Sequence, residues 1–428
     1  MLRKRLDFKF FICLLLLLLF TIINFISLKN YYDEMFNPNI ISNDNFEDKL
    51  RKENNNVGLT KENENLTIQE KEEPKKPKLN SLSALLMDGE NKRVLYEVNG
   101  YQEMPMASTT KIMTCIIALE QGNMEDVVTV SSYAASMPDV QLNIRSGEQY
   151  YLKDLMYSLM LQSHNDVAVA IAEHIGGSVE GFATMMNDKA RELECNNTNF
   201  VTPNGLDAEG HYTSARDLAV ISSYAIQNKD FIDITNTSSY QFKELRNGRS
   251  FSVSNKNKFL YMMDGAIGIK TGFTGKAGYC FVGAIKRLDR TLISVVLGCG
   301  WPPSKNLKWT DTKRLMTYGI ENYEKKQIFE NKDFEPVYVD NGQTSHIGLA
   351  MEGDLNLLLS DSENVRIEYN VPHTLSAPQE EGNVVGSAKY YIDDNLYADI
   401  PIYTTDESRK IDYKFCLIRI IKLWSQQY

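Results

Sequence analysis

The sequence of 428 residues predicts an α+β fold, with an antiparallel sheet flanked by helices and followed by a small all-β domain. Strand patterns begin near residue 81 and return after residue 264, while helical patterns occupy the middle. After about residue 325 the apolar pattern consists of short alternating segments. This order favours one sheet that both chain ends of the first domain build together, with the helices covering its faces.

Residues 1–28 are predicted to be a signal or membrane anchor. Residues 10–28 are long and apolar enough to cross a bilayer, and four basic residues precede them: Arg3, Lys4, Arg5 and Lys9. The basic flank should stay in the cytoplasm, so the rest of the chain should lie on the extracytoplasmic side of the cell membrane. A cleaved signal peptide is the alternative, but Phe25-Ile26-Ser27 does not supply the small residues of a cleavage site.

The segment 29–80 is predicted to be a disordered linker because it is rich in Asn, Glu and Lys and has almost no apolar period. The first domain then opens with a predicted hairpin. Its strands are Leu82 to Met87 and an alternation of Val94, Tyr96 and Val98, and the turn lies at residues 88–91.

Ser108-Thr109-Thr110-Lys111 is the first candidate for chemistry. A spacing of three residues places the serine and the lysine on one face of a helix. A lysine at that distance can act as the base that turns the hydroxyl into a nucleophile. The apolar run 112–119 predicts a buried helix, and Pro105 favours its start just upstream. At such a helix N-terminus the dipole and free amides favour a developing oxyanion.

Ser163-His164-Asn165 lies between two helical patterns, residues 152–160 and 167–175. We expect Asp166 to cap the second helix. The triplet then occupies a tight connection whose side chains can point into a cleft. Taken alone, a polar connection between helices explains these residues equally well.

Lys270-Thr271-Gly272 falls on a predicted strand, and a turn and return strands follow it. Nearby glycines, including Gly268 and Gly275, allow another backbone or a ligand to approach closely. An ordinary glycine-rich hairpin with an exposed lysine is the alternative. Between the second and third triplets, Ser214 and Asp217 predict a capping box for a helix over about 214–227.

The order of the three triplets matches a set known from penicillin-binding proteins. Residues 81–322 resemble the catalytic domain of the low-molecular-mass members, the serine-type D-alanyl-D-alanine carboxypeptidases of peptidase family S11. The likeness extends over five segments, which are residues 106–114, 163–177, 203–207, 211–217 and 264–279. The chain departs from the family at two places. Three extra residues, 266–268, or an equivalent shift precede the third triplet, and Phe273 stands where the family frequently has a histidine.

The resemblance implies a mechanism and a substrate. Ser108 would attack the carbonyl of the penultimate D-alanine of a peptidoglycan stem peptide, and Lys111 would take its proton. Ser163 would pass the proton to the departing D-alanine, and Asn165 would bind the peptide amide. The strand residues Lys270, Thr271, Gly272 and Phe273 would bind the substrate. Lys270 and Thr271 would hold its terminal carboxylate. The backbone N–H of Phe273 would bind the oxyanion together with that of Ser108. β-Lactam antibiotics would be covalent inhibitors, and no metal or cofactor is required.

Other functions remain open at this point. A class A β-lactamase is disfavoured because His164 replaces the aspartate of its S-D-N triplet, and no Glu-x-x-Leu-Asn segment occurs between Gly177 and Lys270. An endopeptidase acting on peptide crosslinks would use the same residues. A sensor module that is acylated and never turns over would also carry them.

Residues 323–408 are predicted to form the small β domain, with turns at Asn341-Gly342 and Asp394-Asn395. This part resembles the C-terminal β domain of the same family, and we expect a spacer or docking module. Residues 409–428 return to helical spacing, with an apolar face that includes Leu417, Ile421 and Trp424. A basic amphipathic helix of this kind can lie in the membrane interface, which makes membrane lipid a partner. A helix packed on the β domain is the alternative.

Composition excludes some partners. A net charge of −10 and a pI of about 5.2 argue against nucleic acid. The six cysteines have no paired spacing, and although Cys280 and Cys299 fall on candidate neighbouring strands, we expect free buried thiols. The five histidines show no metal-binding H-E-x-x-H spacing, so we expect structural roles for them.

Overall fold

The computed structural model describes residues 74–138 and 140–425. The predicted anchor 1–28 and most of the predicted linker 29–80 lie outside the described residues. Within the described range, none of the helices combines the length and the apolar character needed to cross a membrane.

An antiparallel sheet of five strands forms the centre of the first domain, in the order β2-β1-β9-β8-β7. The strands are β1 (Ser83–Asp88), β2 (Val94–Val98), β7 (Ala266–Thr274), β8 (Gly278–Lys286) and β9 (Thr291–Leu297). Strand β1 pairs with β2 along one edge and with β9 along the other, so both ends of the domain meet in the middle of the sheet. Every residue of β9 is buried, which explains why its residues are apolar apart from Thr291 and Ser294.

Helices cover both faces of this sheet. Those of the first domain are α1 (Lys111–Gln121), α2 (Ser132–Ala135), α3 (Leu152–Gln162), α4 (Asn165–Gly176), α5 (Val179–Glu192), α6 (Ala215–Ala225), α7 (Lys229–Asn236) and α8 (Leu307–Asn322). The larger core packs α1, α3, α4 and α6 against one face. Helix α8 packs on the other face, where Trp309 and Leu315 meet Phe281. The short pairs β3 (Val127–Thr129) with β4 (Gln149–Tyr151) and β5 (Ser239–Lys243) with β6 (Ser250–Ser254) lie outside the main sheet.

The C-terminal part is built from short strands. They are β10 (Glu324–Gln327), β11 (Val337–Asp340), β12 (His346–Ile347), β13 (Leu349–Ala350), β14 (Asn356–Leu359), β15 (Val365–Asn370), β16 (Thr374–Ser376), β17 (Val384–Ile392) and β18 (Asn395–Thr404). The largest sheet has the order β13-β18-β17-β15. The predicted fold class, an α+β domain followed by a small all-β domain, is confirmed. Arg93, in the turn between β1 and β2, links the two domains because its guanidinium contacts Glu363 and the Leu358 carbonyl.

Helix α9 (Tyr413–Ser425) ends the described chain, and none of its residues is buried. Its apolar side chains are exposed, including Leu417, Ile421 and Trp424. The alternative in which this helix packs on the β domain is therefore wrong. The cysteines of the described range, Cys280 and Cys299 among them, are free thiols, as expected.

Candidate active site

Ser108 lies in a tight turn directly in front of α1. Residues Ala107–Thr110 form a 3-10 helix, and Lys111 is the first residue of α1. The hydroxyls of Thr109 and Thr110 donate hydrogen bonds to the carbonyls of Met106 and Ala107, at 2.6 and 2.8 Å, which stabilise the turn. The sequence predicted the serine within the helix start. The 3-10 turn preserves the predicted contact because residues three apart also lie together there.

Lys111 is completely buried, and its Nζ atom has three oxygen neighbours. They are Ser108 Oγ at 3.0 Å, Asn165 Oδ1 at 2.8 Å and the carbonyl oxygen of Asn204 at 2.5 Å. The amide and carbonyl oxygens can only accept hydrogen bonds. A neutral lysine has two N–H groups, which these two oxygens satisfy. Its lone pair then remains for the proton of the Ser108 hydroxyl.

The electrostatics of the cleft favour that neutral form. Burial lowers the pKa of Lys111 well below its usual value, and the positive charge of Lys270 lowers it further. The nearby Asp166 carboxylate acts in the opposite direction and is the smallest of the three causes. Burial and the charge of Lys270 therefore both favour a neutral Lys111, the form that can accept a proton.

The second triplet lies in the connection between α3 and α4. Ser163 ends α3 in the left-handed region, with φ of 70°. Its hydroxyl is buried and has no hydrogen-bond partner among the described residues. His164 is buried beside it, with Nδ1 at 2.7 Å from the Ser158 hydroxyl. Burial lowers the pKa of His164 to about 3, so the ring is neutral and its role is structural.

Asn165 and Asp166 are tied to the loop that follows α2. The backbone N–H of Asn165 donates to the Val140 carbonyl at 2.6 Å. The Asp166 carboxylate accepts hydrogen bonds from the N–H groups of Leu142 at 3.0 Å and Ile144 at 3.2 Å. The prediction that Asp166 caps the helix is wrong, because α4 already begins at Asn165 and the carboxylate serves this loop.

The third triplet lies on β7, the edge strand of the sheet. Lys270 is 2% exposed, and its Nζ donates to the Thr271 carbonyl at 3.2 Å. Burial lowers the pKa of Lys270 to about 7, and the exposed Lys256 is the second cause. At Gly272 a Cβ atom would lie 3.0 Å from the Ser108 nitrogen, so any side chain here would force β7 or the turn to shift by a few tenths of an ångström.

The three extra residues 266–268 are absorbed within β7. Its register against β8 shifts between Ala266 and Ile269, and regular pairing then continues to Thr274. The irregularity ends before Lys270, so residues 270–274 form ordinary strand pairs. The predicted departure therefore leaves the third triplet in place.

The sequence reasoning did not assign Asn204 to the site, although it singled out the surrounding segment. The Asn204 carbonyl holds Lys111, and the chain reaches it through Gly205, with φ of +79°. A Cβ on Gly205 would lie 2.1 Å from the Ala107 carbonyl oxygen. The Asn-Gly pair was the available signal, because glycine is the residue that adopts positive φ at a close contact.

His211 also supports the serine turn. Its Nδ1 accepts a hydrogen bond from the Val201 N–H at 3.0 Å, so the proton of the neutral ring lies on Nε2. Nε2 is 2.9 Å from the Thr110 hydroxyl, to which it donates. Burial lowers the pKa of His211 to about 4, which keeps the ring neutral. Within the described residues, no group of three or more His, Cys, Asp or Glu side chains could hold a metal ion.

Comparison with known proteins matches most of the chain. The family model described as D-alanyl-D-alanine carboxypeptidase matches residues 69–300. The model described as penicillin-binding protein 5, C-terminal domain, matches residues 323–410. These two matches cover the part of the chain that contains all three triplets and the small β domain.

Individual relatives agree. The chain is 31% identical to the D-alanyl-D-alanine carboxypeptidase DacF of Bacillus subtilis, over 80% of this chain and 90% of that protein. It is 30% identical to DacA of Escherichia coli K12, over 82% of this chain and 89% of the relative. The crystal structure of penicillin-binding protein 5 from Haemophilus influenzae superimposes with a TM-score of 0.67 at 28% identity, covering 78% of this chain and 99% of that one.

Proposed function

The chain belongs to the family of serine-type D-alanyl-D-alanine carboxypeptidases, and we propose that it removes the terminal D-alanine from peptidoglycan stem pentapeptides through an acyl-enzyme on Ser108. Like the family, it is a hydrolase that penicillin inhibits by acylating the same oxygen. The observation that carries the assignment is the 3.0 Å contact between Ser108 Oγ and the buried Lys111 Nζ.

The first step is the attack of Ser108 on the carbonyl of the penultimate D-alanine. Lys111 accepts the hydroxyl proton with its lone pair. The Ser108 and Phe273 N–H groups hold the oxyanion, a role that the close approach of Gly272 to the Ser108 nitrogen supports. Asn165 binds the peptide amide of the substrate.

The second step releases the terminal D-alanine. The buried Ser163 hydroxyl relays the proton from Lys111 to the departing nitrogen. Lys270 and Thr271 hold the terminal carboxylate, which explains a buried cation on the edge strand of the cleft. Water then hydrolyses the acyl-enzyme and returns Ser108 to its starting state.

Release of D-alanine tests this function. The purified enzyme should liberate D-alanine from diacetyl-L-Lys-D-Ala-D-Ala in many turnovers, and the Ser108→Ala enzyme should liberate none. An enzyme that penicillin acylates but that releases no D-alanine would be a sensor module and would contradict the proposal. Release only from crosslinked dimeric peptides would identify an endopeptidase.

We also propose where the enzyme acts. Residues 1–28 anchor the chain, residues 29–80 act as a linker, and residues 81–322 and 323–408 form the catalytic and β domains on the extracytoplasmic side of the cell membrane. Residues 409–428 add a second attachment to membrane lipid. The exposed apolar side chains of α9, together with Arg419 and Lys422, support this attachment because they suit a lipid interface.

Vesicle binding tests the second attachment. A protein of residues 81–428 should co-sediment with anionic vesicles, more weakly as salt increases, and one of residues 81–408 should remain in the supernatant. Both should hydrolyse soluble peptide at the same rate, because the cleft lies in the first domain. Equal sedimentation of the two proteins would show that the helix makes no lipid contact.

A further inference from the structure

Strand β7 presents an unpaired edge to the cleft. Among the described strands it pairs only with β8, so its second edge is free of strand partners. At Gly272 one face of the strand lies against the serine turn. An extended peptide can add to such an edge as a further strand, with its side chains pointing to alternate faces. In the proposed function the terminal carboxylate lies at Lys270 and Thr271. The substrate therefore runs antiparallel to β7, and the residues before the penultimate D-alanine lie beside Phe273 and Thr274.

Phe273 forms an aromatic surface at this point. Gly272 faces the serine turn, so Phe273, one residue further, faces the opposite side of the sheet. Its ring packs on that of its cross-strand partner Tyr279, with 4.6 Å between ring centroids. Lys308 Nζ lies 4.5 Å from the Tyr279 ring and braces it from α8. Phe273 is nevertheless 43% exposed, so one part of a firmly held apolar ring remains open beside the cleft.

The other face of β7 differs in chemistry. Thr274 donates a hydrogen bond to the Asp207 carboxylate at 2.8 Å, and Asp207 is exposed. A side chain that turned to this face would meet a negative charge. A side chain that turned to the Phe273 face would meet an aromatic hydrocarbon surface, which favours methylene groups over polar ones.

We propose that Phe273, braced by Tyr279, forms a subsite for the side chain of the substrate residue that precedes the penultimate D-alanine, and that it selects a long aliphatic side chain there. This inference rests on the proposed function. The subsite acts through the Phe273 ring, whereas the oxyanion contact acts through its backbone N–H, so a side-chain substitution separates the two roles.

The test compares two peptides that differ only at that residue, diacetyl-L-Lys-D-Ala-D-Ala and acetyl-L-Ala-D-Ala-D-Ala. The ratio of their kcat/KM values should fall roughly tenfold in Phe273→Ala, the effect of losing contact with about two methylene groups. Phe273→Leu should keep most of the ratio because it keeps an apolar surface. Tyr338→Ala is the matched control, since Tyr338 is 46% exposed but lies on β11 in the other domain.

Two results would overturn the inference. An unchanged ratio in Phe273→Ala, which includes an equal loss on both peptides, would show that the ring does not contact this side chain. A fall of the ratio in Asp207→Asn alone would place the side chain on the opposite face of β7. The rate of Ser108 acylation by penicillin, measured in parallel, reports whether each variant retains a working nucleophile. If the native enzyme is acylated but releases no D-alanine from either peptide, the proposed function fails and the subsite fails with it.

Discussion

The pKa of Lys270 predicts how activity depends on pH. Burial and the charge of Lys256 lower it to about 7, so Lys270 loses its charge as the pH rises through neutrality. The proposed substrate carboxylate then loses its cationic partner, and kcat/KM should fall. Because kcat/KM reports the ionisation of the free enzyme, the fall should be centred near this pKa. Lys111 must be neutral to act as the base, so its deprotonation, which burial favours, contributes the rising limb.

The size of the fall follows from the contact. At two pH units above the pKa, only about 1% of Lys270 carries a proton. A hydrogen bond to a charged group contributes about 1.5–3 kcal/mol, so its loss lowers kcat/KM roughly tenfold to a hundredfold before the curve becomes level. In Lys270→Arg the cation cannot be titrated in this range, and the alkaline limb should disappear even if the maximum is lower.

The assay is D-alanine release from a peptide with a free carboxylate, measured from about pH 6 to about pH 10. Lys256→Gln should move the alkaline limb to higher pH because it removes one of the two causes of the low pKa. Lys276→Gln is the matched control, an exposed lysine that is not among those causes. A flat native profile above neutrality, or an identical limb in Lys270→Arg, would refute the assignment of Lys270 to the carboxylate.

Four further substitutions test the other parts of the site. Ser108→Ala should keep the fold and abolish the penicilloyl adduct in the intact mass spectrum; a remaining adduct would move the nucleophile elsewhere. Lys111→Arg should lower the acylation rate by orders of magnitude and also the Tm, because it buries a permanent charge; near-native acylation would transfer the role of base to another group that acts through Ser163. Gly272→Ala should slow acylation without unfolding the domain, since its Cβ would press on the Ser108 nitrogen at 3.0 Å, and an unchanged rate would contradict that contact. Asp166→Asn should lower the free energy of unfolding by about 1.5–3 kcal/mol in a denaturant titration, because the loop amides lose a charged acceptor; no change would mean that the loop is held by other contacts.

The sequence predicted the parts of the site that local spacing determines. Ser108 and Lys111 are three residues apart, so the 3-10 turn and the helix both bring them together. The glycine-rich pattern around Lys270 likewise predicted a strand with a turn and return strands after it. The fold class could also be predicted from local patterns, because apolar residues repeat with different periods in helices and in strands.

The contributions that the sequence did not reveal are those of distant partners. Asn204 acts through its carbonyl oxygen, a group that every residue carries, so its own side chain does not indicate the role and only the following Gly205 marked the position. Asp166 precedes an apolar helical run, so its position in the sequence is typical of a helix cap. In the structure its carboxylate oxygens instead accept hydrogen bonds from N–H groups of a loop more than twenty positions earlier. The low pKa of Lys270 depends on burial and on the position of Lys256, and both require the folded sheet.

The pairing of β1 with β9 has a consequence for how the protein is made. Ser83 lies opposite Leu297, so two strands from opposite ends of the catalytic domain share the middle of its sheet. During synthesis from the N-terminus, the β1–β2 hairpin keeps one edge unpaired until β9 has emerged, on the order of ten seconds later. An open edge of that kind invites pairing with other chains, and non-local pairing slows folding. Biogenesis of this enzyme therefore has a vulnerable interval, which ends only when the strand that closes the sheet has been synthesised.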